Sequence, residues 1–156
     1  AQLHKLVLTD GAERDWFGYS VAVSGDKVIV GAPYDENGSA YLFSATSGAQ
    51  LHKWVKMDGA AYDEFGCSVA VSNDVVVIGA RGDDDKGSRS GSAYIFNATT
   101  GAELHKLVAS DGAEDDEFGH SVAVSGDMVV VGAFWDDDDN GTDSGSAYIF
   151  NATTGA

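Results

Sequence analysis

Four short motifs recur three times along this chain at nearly constant spacing, and that self-similarity constrains the fold more than any single residue does. Leu-His-Lys begins at Leu3, Leu51 and Leu104, spaced 48 and then 53 residues. Phe-Gly begins at Phe17, Phe65 and Phe118, and Gly-Ala at Gly31, Gly79 and Gly132, with the same spacings of 48 and 53. Gly-Ser-Ala-Tyr begins at Gly38, Gly91 and Gly145, spaced 53 and 54. The length variation therefore falls in one loop, between Gly-Ala and Gly-Ser-Ala-Tyr, which holds 5, 10 and 11 residues. A fixed framework with one variable loop is how a repeat array behaves when each unit contacts only its neighbours. The units read as residues 1–49, 50–102 and 103–156.

Each unit carries four strand-like runs. Ser20–Ser24 alternates small or polar residues with Val, then turns at Gly25-Asp26 into the apolar run Val28–Ala32. The equivalent turns, Asn73-Asp74 and Gly126-Asp127, have the chemistry of tight hairpins. Ala40–Phe43 is the third run, repeated at Ala93–Phe96 and Ala147–Phe150, and Leu51–Val55 is the fourth. No segment sustains a 3.6-residue period, so helix is excluded. The second run lacks polar alternation, as expected of a strand buried on both faces. Gly18, Ser20 and Ala22 supply the small groups needed where sheets crowd a common axis. Four short antiparallel strands repeated about every fifty residues predict an all-β fold of β-propeller blades. A parallel β-solenoid fits less well, because its rungs are much shorter.

Composition narrows the function. Net charge is −16, from 25 acidic against 9 basic side chains, so phosphate backbones and anionic lipid surfaces are repelled and no nucleic-acid partner is expected. No apolar run approaches the roughly 20 residues of a membrane helix, so no membrane insertion is expected. The first residues already lie inside the first repeat, which reads as a mature or trimmed product. Cys67 is the one cysteine, so no intrachain disulfide forms.

The ordered motifs Phe-Gly, Ser-Val-Ala-Val-Ser-Gly-Asp, Val-Val-Val-Gly-Ala and Gly-Ser-Ala-Tyr-Ile-Phe resemble the FG-GAP repeat of integrin α-subunit propellers, in its secreted bacterial and algal variety. The resemblance spans essentially the whole chain. It implies a propeller with ligand loops on one face, an extracellular or cell-surface location, and adhesion or recognition of a protein or glycan. Integrin repeats often carry a calcium loop, Asp-x-Asp-x-Asp-Gly-x-x-Asp, between Phe-Gly and Gly-Ala-Pro. Here that interval holds only the turn at Ser24-Gly25-Asp26 and its copies. The acidic residues come after Gly-Ala instead. The third such loop offers Asp136, Asp138 and Asn140, then Gly141, with Asp143 nearby and Ser144 at the ninth position where a carboxylate belongs. Calcium is expected there first, then at Asp83 and Asp85, with the shorter loop Asp35–Gly38 last.

His4, His52 and His105 occupy one repeated position, which marks framework rather than a metal or base. No nucleophile with a partnering base and no phosphate loop is present, so no enzyme activity is expected. Phe134 and Trp135 fall in the variable loop beside carboxylates, where exposed rings suit sugar stacking or a protein hot spot. Asn37, Asn97, Asn140 and Asn151 stand in Asn-x-Ser/Thr, so a eukaryotic source implies N-glycosylation.

Propellers hold about four to eight blades. The chain opens on a fourth-strand run, Leu3–Val7, and its last strand run is a third strand. The expectation is a ring closed by another copy, as a homo-oligomer or filament built by strand exchange, or by further repeats of a longer chain.

Overall fold

The computed structural model describes residues 1–56, 60 and 62–156. Among them there is no helix, and hence none long and apolar enough to cross a membrane. The strands are β1 (Ser20–Ser24), β2 (Lys27–Ala32), β3 (Ser39–Ser44), β4 (Gln50–Val55), β5 (Phe65–Ser72), β6 (Val75–Ala80), β7 (Ser92–Asn97), β8 (Glu103–Leu107), β9 (Phe118–Ser125), β10 (Met128–Ala133) and β11 (Ser146–Asn151). They form three antiparallel sheets in simple up-and-down order, β1-β2-β3-β4, β5-β6-β7-β8 and β9-β10-β11. These are propeller blades, and the antiparallel pairing excludes a parallel solenoid. Each sequence repeat is offset from a blade, because Leu51–Val55 and Leu104–Leu107 complete the sheet that precedes them.

The third sheet has three strands and Leu3–Val7 pairs with no sheet among the described residues, which agrees with a chain that opens on a fourth-strand run and whose last run is a third strand. An outer strand exists only where a third strand lies beside it, and among the described residues Leu3–Val7 has none. For the same reason β1 starts at Ser20, while β5 and β9 start at the Phe of Phe-Gly. Phe65 and Phe118 are held by bridges to Gly38 and Gly91 of the preceding blade, a partner that Phe17 lacks.

The blades stack front to back. The back of the first sheet (Ile29, Ala40, Leu42) packs on the front of the second (Val69, Val71, Val76, Ile78). The back of the second (Ala70, Val77, Ala93, Ile95) packs in the same way on the front of the third, through Val122, Val124, Val129 and Val131. This explains the unbroken apolar run of the second strand, which is sandwiched on both faces. Each fully buried Val, Ile or Leu contributes about 1.5–3 kcal/mol, so these seams hold the array together.

Near the axis the first strands almost touch. Ser20 Oγ donates to Gly66 O (2.8 Å) and Ser68 Oγ to Gly119 O (2.7 Å). A Cβ on Gly79 would lie 2.0 Å from Gly119 O, so only glycine permits this approach.

At the hairpin end, the β1–β2 and β3–β4 turns are tied together. Asp26 accepts from Ser44 Oγ, Thr46 N and Thr46 Oγ1. Asp74 accepts from Thr99 Oγ1, and also pairs with Lys27 of the preceding blade.

Candidate functional site

The opposite end of each sheet carries the β2–β3 loop and the approach into the first strand. Superposing the repeats shows where they diverge there: Trp16/Glu64/Glu117, Tyr19/Cys67/His120, Pro33/Arg81/Phe134 and Tyr34/Gly82/Trp135. These four variable positions lie together at this one end.

They form three neighbouring groups. On the first blade Trp16 meets Tyr34 edge-on (centroids 4.7 Å) and stacks on Tyr19 (6.1 Å). In the middle Arg81 Nε lies 2.7 Å from Glu64, and its Nη1 lies 4.0 Å from Glu117 of the next blade. Glu117 also pairs with Arg89 and, at 3.2 Å, with His120 Nδ1. On the third blade Phe134 stacks on His120 (5.2 Å) and meets Trp135 edge-on (4.6 Å). Trp16, Phe134 and Trp135 stay 56%, 55% and 43% exposed, so the rings are not absorbed into the core. A cleft of about 440 Å³ is lined by Arg89, Asp115, Glu117, Trp135 and Asp143. Trp16, Glu64 and Glu117 all take positive φ (55°, 55° and 52°) without being glycine, a costly conformation that gathers at functional faces.

Behind this rim two carboxylates are buried at equivalent positions of each repeat: Asp15 and Asp35, Asp63 and Asp83, and Asp116 and Asp136. Asp35 accepts from Tyr41 Oη (2.5 Å), with Lys53 Nζ at 3.3 Å. Asp83 accepts from Tyr94 Oη (3.0 Å) and holds Lys56 (2.6 Å) and Lys106 (3.2 Å). Lys56 also reaches Asp63 (2.5 Å), and Lys106 reaches Asp85 (2.5 Å). Burial alone would raise the Asp83 carboxyl, but hydrogen bonding and the two ammonium groups hold it well below the usual range. Burial alone would lower Lys56, yet Asp63 and Asp83 hold it above its usual value. Burial pushes the Tyr94 hydroxyl up to about 12.

The third blade differs. Asp136 accepts from Ser146 Oγ and Asp116 from Ala113 N, and no ion pair reaches either among the described residues. Burial raises the Asp116 carboxyl, and the neighbouring charges of Asp136 and Asp137 add to the rise.

The expected calcium ligands lie in these two layers, and Asp136, Asp138 and Asn140 of the third loop line one acidic cleft. Asp83 and Asp85 already hold lysine ammonium groups. In the third loop Asp136 turns inward to Ser146, while Asp138 accepts from Ser144 Oγ (2.6 Å) and Asn140 N (2.6 Å), and Asp137 from Asp143 N (2.7 Å). No group of three or more His, Cys, Asp or Glu among the described residues is arranged to hold a metal ion.

The repeated histidines are struts between blades. His4, His52 and His105 donate through Nε2 to the carbonyls of Thr46 (2.9 Å), Thr99 (3.2 Å) and Thr153 (3.1 Å). Cys67 is buried, which pushes its thiol up to about 11 and makes it a poor nucleophile. Asn97 and Asn151 accept from the backbone of Thr99 and Thr100, and of Thr153 and Thr154, while Asn37 and Asn140 are exposed.

Sequence reasoning singled out Phe134 and Trp135 but not Tyr34, Tyr19, Arg81, Glu64 or Glu117. Comparing the three repeats position by position at the loop end is the signal that reveals them.

The FG-GAP repeat pattern matches residues 1–43, 49–96 and 102–150. The chain belongs to the FG-GAP repeat family. No curated protein matches this FG-GAP chain in sequence. Among solved structures it is similar to the computationally designed Ika4 protein (TM-score 0.61, 22% identity), covering 98% of this chain and 76% of that one. It is also similar to the computationally designed Ika8 protein (0.58, 22%; 90% and 34%) and to Saccharomyces cerevisiae Sqt1 (0.53, 19%; 83% and 28%). The chain thus spans about a third or less of the last two. At these identities the likeness concerns the fold alone.

Proposed function

We propose that this FG-GAP chain is a non-enzymatic, extracellular recognition module that binds its ligand on the loop end of the sheets. One observation carries the reading: the repeats diverge where exposed Trp16, Tyr19, Tyr34, Phe134 and Trp135 flank the Arg81–Glu64–Glu117 ion pairs. Flat rings beside carboxylates and a guanidinium stack on sugar faces and hydrogen-bond their hydroxyls. Net charge of −16 disfavours anionic glycans, so the ligand class is an uncharged oligosaccharide, free or on a cell-surface glycoprotein. That makes the adhesive role a lectin-like one. A second reading, a structural subunit of a surface assembly, is favoured by the uncovered sheet faces of the first and third blades.

Titration with a panel of neutral oligosaccharides tests the first reading. Trp135→Ala is expected to weaken binding roughly 10–30-fold, the loss of a hot-spot ring, with the melting temperature unchanged. Binding that is indifferent to both Trp135→Ala and Trp16→Ala would remove the loop end as the site.

Two accessory features belong to the same proposal. N-linked glycans at Asn37, Asn97, Asn140 and Asn151 are read from the intact mass of the native protein. Calcium support of the third loop would require Asp136, Asp138, Asn140 and Asp143 to rearrange, and EDTA-sensitive melting is its test.

A further inference from the structure

Three independent features of the chain's two open ends match each other. The first is the seat of the N-terminal segment. Outer strand β4 also serves the next blade: His52 bonds Thr99, Trp54 Nε1 donates to Gly101 O (2.9 Å), and Trp54 packs in the seam with Phe65 and Phe96. Strand β8 does the same through His105–Thr153 and through Leu107 against Phe118. Residues Leu3–Val7 repeat this on the first blade, with His4 bonded to Thr46 and Leu6 packed with Phe17 and Phe43. The segment is thus placed as the outer strand of a blade lying in front of the first.

The second feature is apolar. On the back of the third blade Ile149 is 65% exposed, whereas its equivalents Leu42 and Ile95 are fully buried. On the front of the first blade Val21 and Val23 are 66% and 67% exposed, whereas Val69 and Val71 are 7% exposed. These are the two halves of the seam that the chain builds twice internally.

The third feature is electrostatic. Lys53 covers the ring of Tyr41 and pairs with Asp35, and Lys106 covers Tyr94 and pairs with Asp83. Tyr148 and Asp136 occupy the same positions with no lysine among the described residues, beside the desolvated Asp116. Lys5 is the repeat equivalent of Lys53 and Lys106, and it is exposed.

We infer that two copies of this chain close head to tail into one ring of six sheets, each lending Leu3–Val7 to the other as an antiparallel outer strand on β11. The registers of β3 with β4 and of β7 with β8 set the pairing: Lys5 opposite Tyr148, Leu6 opposite Ala147 and His4 opposite Ile149. Lys5 then neutralises Asp136, and the back of the third blade lies on the front of the partner's first blade. At the axis Ser121 Oγ meets the Gly18 carbonyl as Ser20 meets Gly66. A ring of six sheets falls within the usual size of a closed propeller. Because Arg81 reaches Glu117 across a blade junction, the same junction between copies brings Phe134 toward Trp16. The aromatic site is therefore completed by the partner copy, a consequence that rests on the function proposed above.

Light scattering on the purified 156-residue chain tests the ring. The expected mass at about 100 μM is twice 16.2 kDa. Ile149→Asp, at a position open to water in the single chain, is expected to give the single-chain mass with unchanged strand content. Lys5→Glu, also exposed, is expected to raise the dissociation constant at least tenfold. A single-chain mass for the unaltered protein, an open-ended series of masses, or a dimer that survives Ile149→Asp would overturn the inference. A ring that binds no oligosaccharide would count against the proposed function alone. Oligosaccharide binding by a single chain would count against the ring alone.

Discussion

Replacing Lys56 with methionine is expected to lower folding stability by about 3–5 kcal/mol, measured as a fall in the urea midpoint. Lys56 lies buried between Asp63 and Asp83, and its removal leaves two desolvated carboxylates facing each other. Lys106 retains its own contact with Asp83 and keeps the loss within that range. Because the cost comes from the stranded charges, adding Asp63→Asn to Lys56→Met should recover a large part of it. A cluster that merely decorated the surface would show losses of about 0–1 kcal/mol and no such recovery.

The pH dependence follows from the same groups. Asp83 titrates lower in the folded chain than unfolded, so its contribution is full above an unfolded value of about 3.9 and is lost as pH falls through the folded value. Lys56 titrates higher when folded, so its contribution is full below about 10.4 and is lost as pH rises past that value. Stability from this cluster is therefore flat between about pH 5 and 9. Asp116 acts in the opposite sense. Its raised value costs stability as pH rises through the carboxylate range, and Lys5 of a second copy, held near Asp136, would reduce that cost.

The second large effect is expected at the axis. Gly79→Ala would place a methyl group 2.0 Å from the Gly119 carbonyl, a backbone atom that cannot swing away. The second and third blades must separate, at a cost of roughly 1–3 kcal/mol or more, visible as a lower melting temperature. Gly126→Asn is the matched control. Gly126 has φ 55° and open space around it, and the second repeat already carries Asn73 there with φ 52°. A change of only a few tenths of a kcal/mol is expected.

Much of the fold was legible because one physical cause recurs three times. The Gly-Asp and Asn-Asp turns, the sandwiched Val-rich runs and the fixed spacings all report the same seam between neighbouring sheets. What could not be read was what depends on a missing neighbour. Phe17-Gly18 lacks the bridge that extends β5 and β9, so the first strand of the first sheet is the shorter one. The buried carboxylates were legible as acidic loops, but not as lysine-filled pairs. Lys53 and Lys106 reach Asp35 and Asp83 from an outer strand that the sequence assigns to the following repeat. Arg81 and Tyr34 stand at the repeat positions of Phe134 and Trp135, and only a position-by-position comparison of the repeats brings them out.

Amide hydrogen exchange of residues 3–7 tests most directly whether the working unit is the closed ring. The ring predicts that Leu3–Val7 and the outer edge of β11 become protected together as concentration rises, approaching the protection of β2 and β6. Rapid exchange of Leu3–Val7 at every concentration, with β2 and β6 fully protected, would show instead that each chain stands as an open arc.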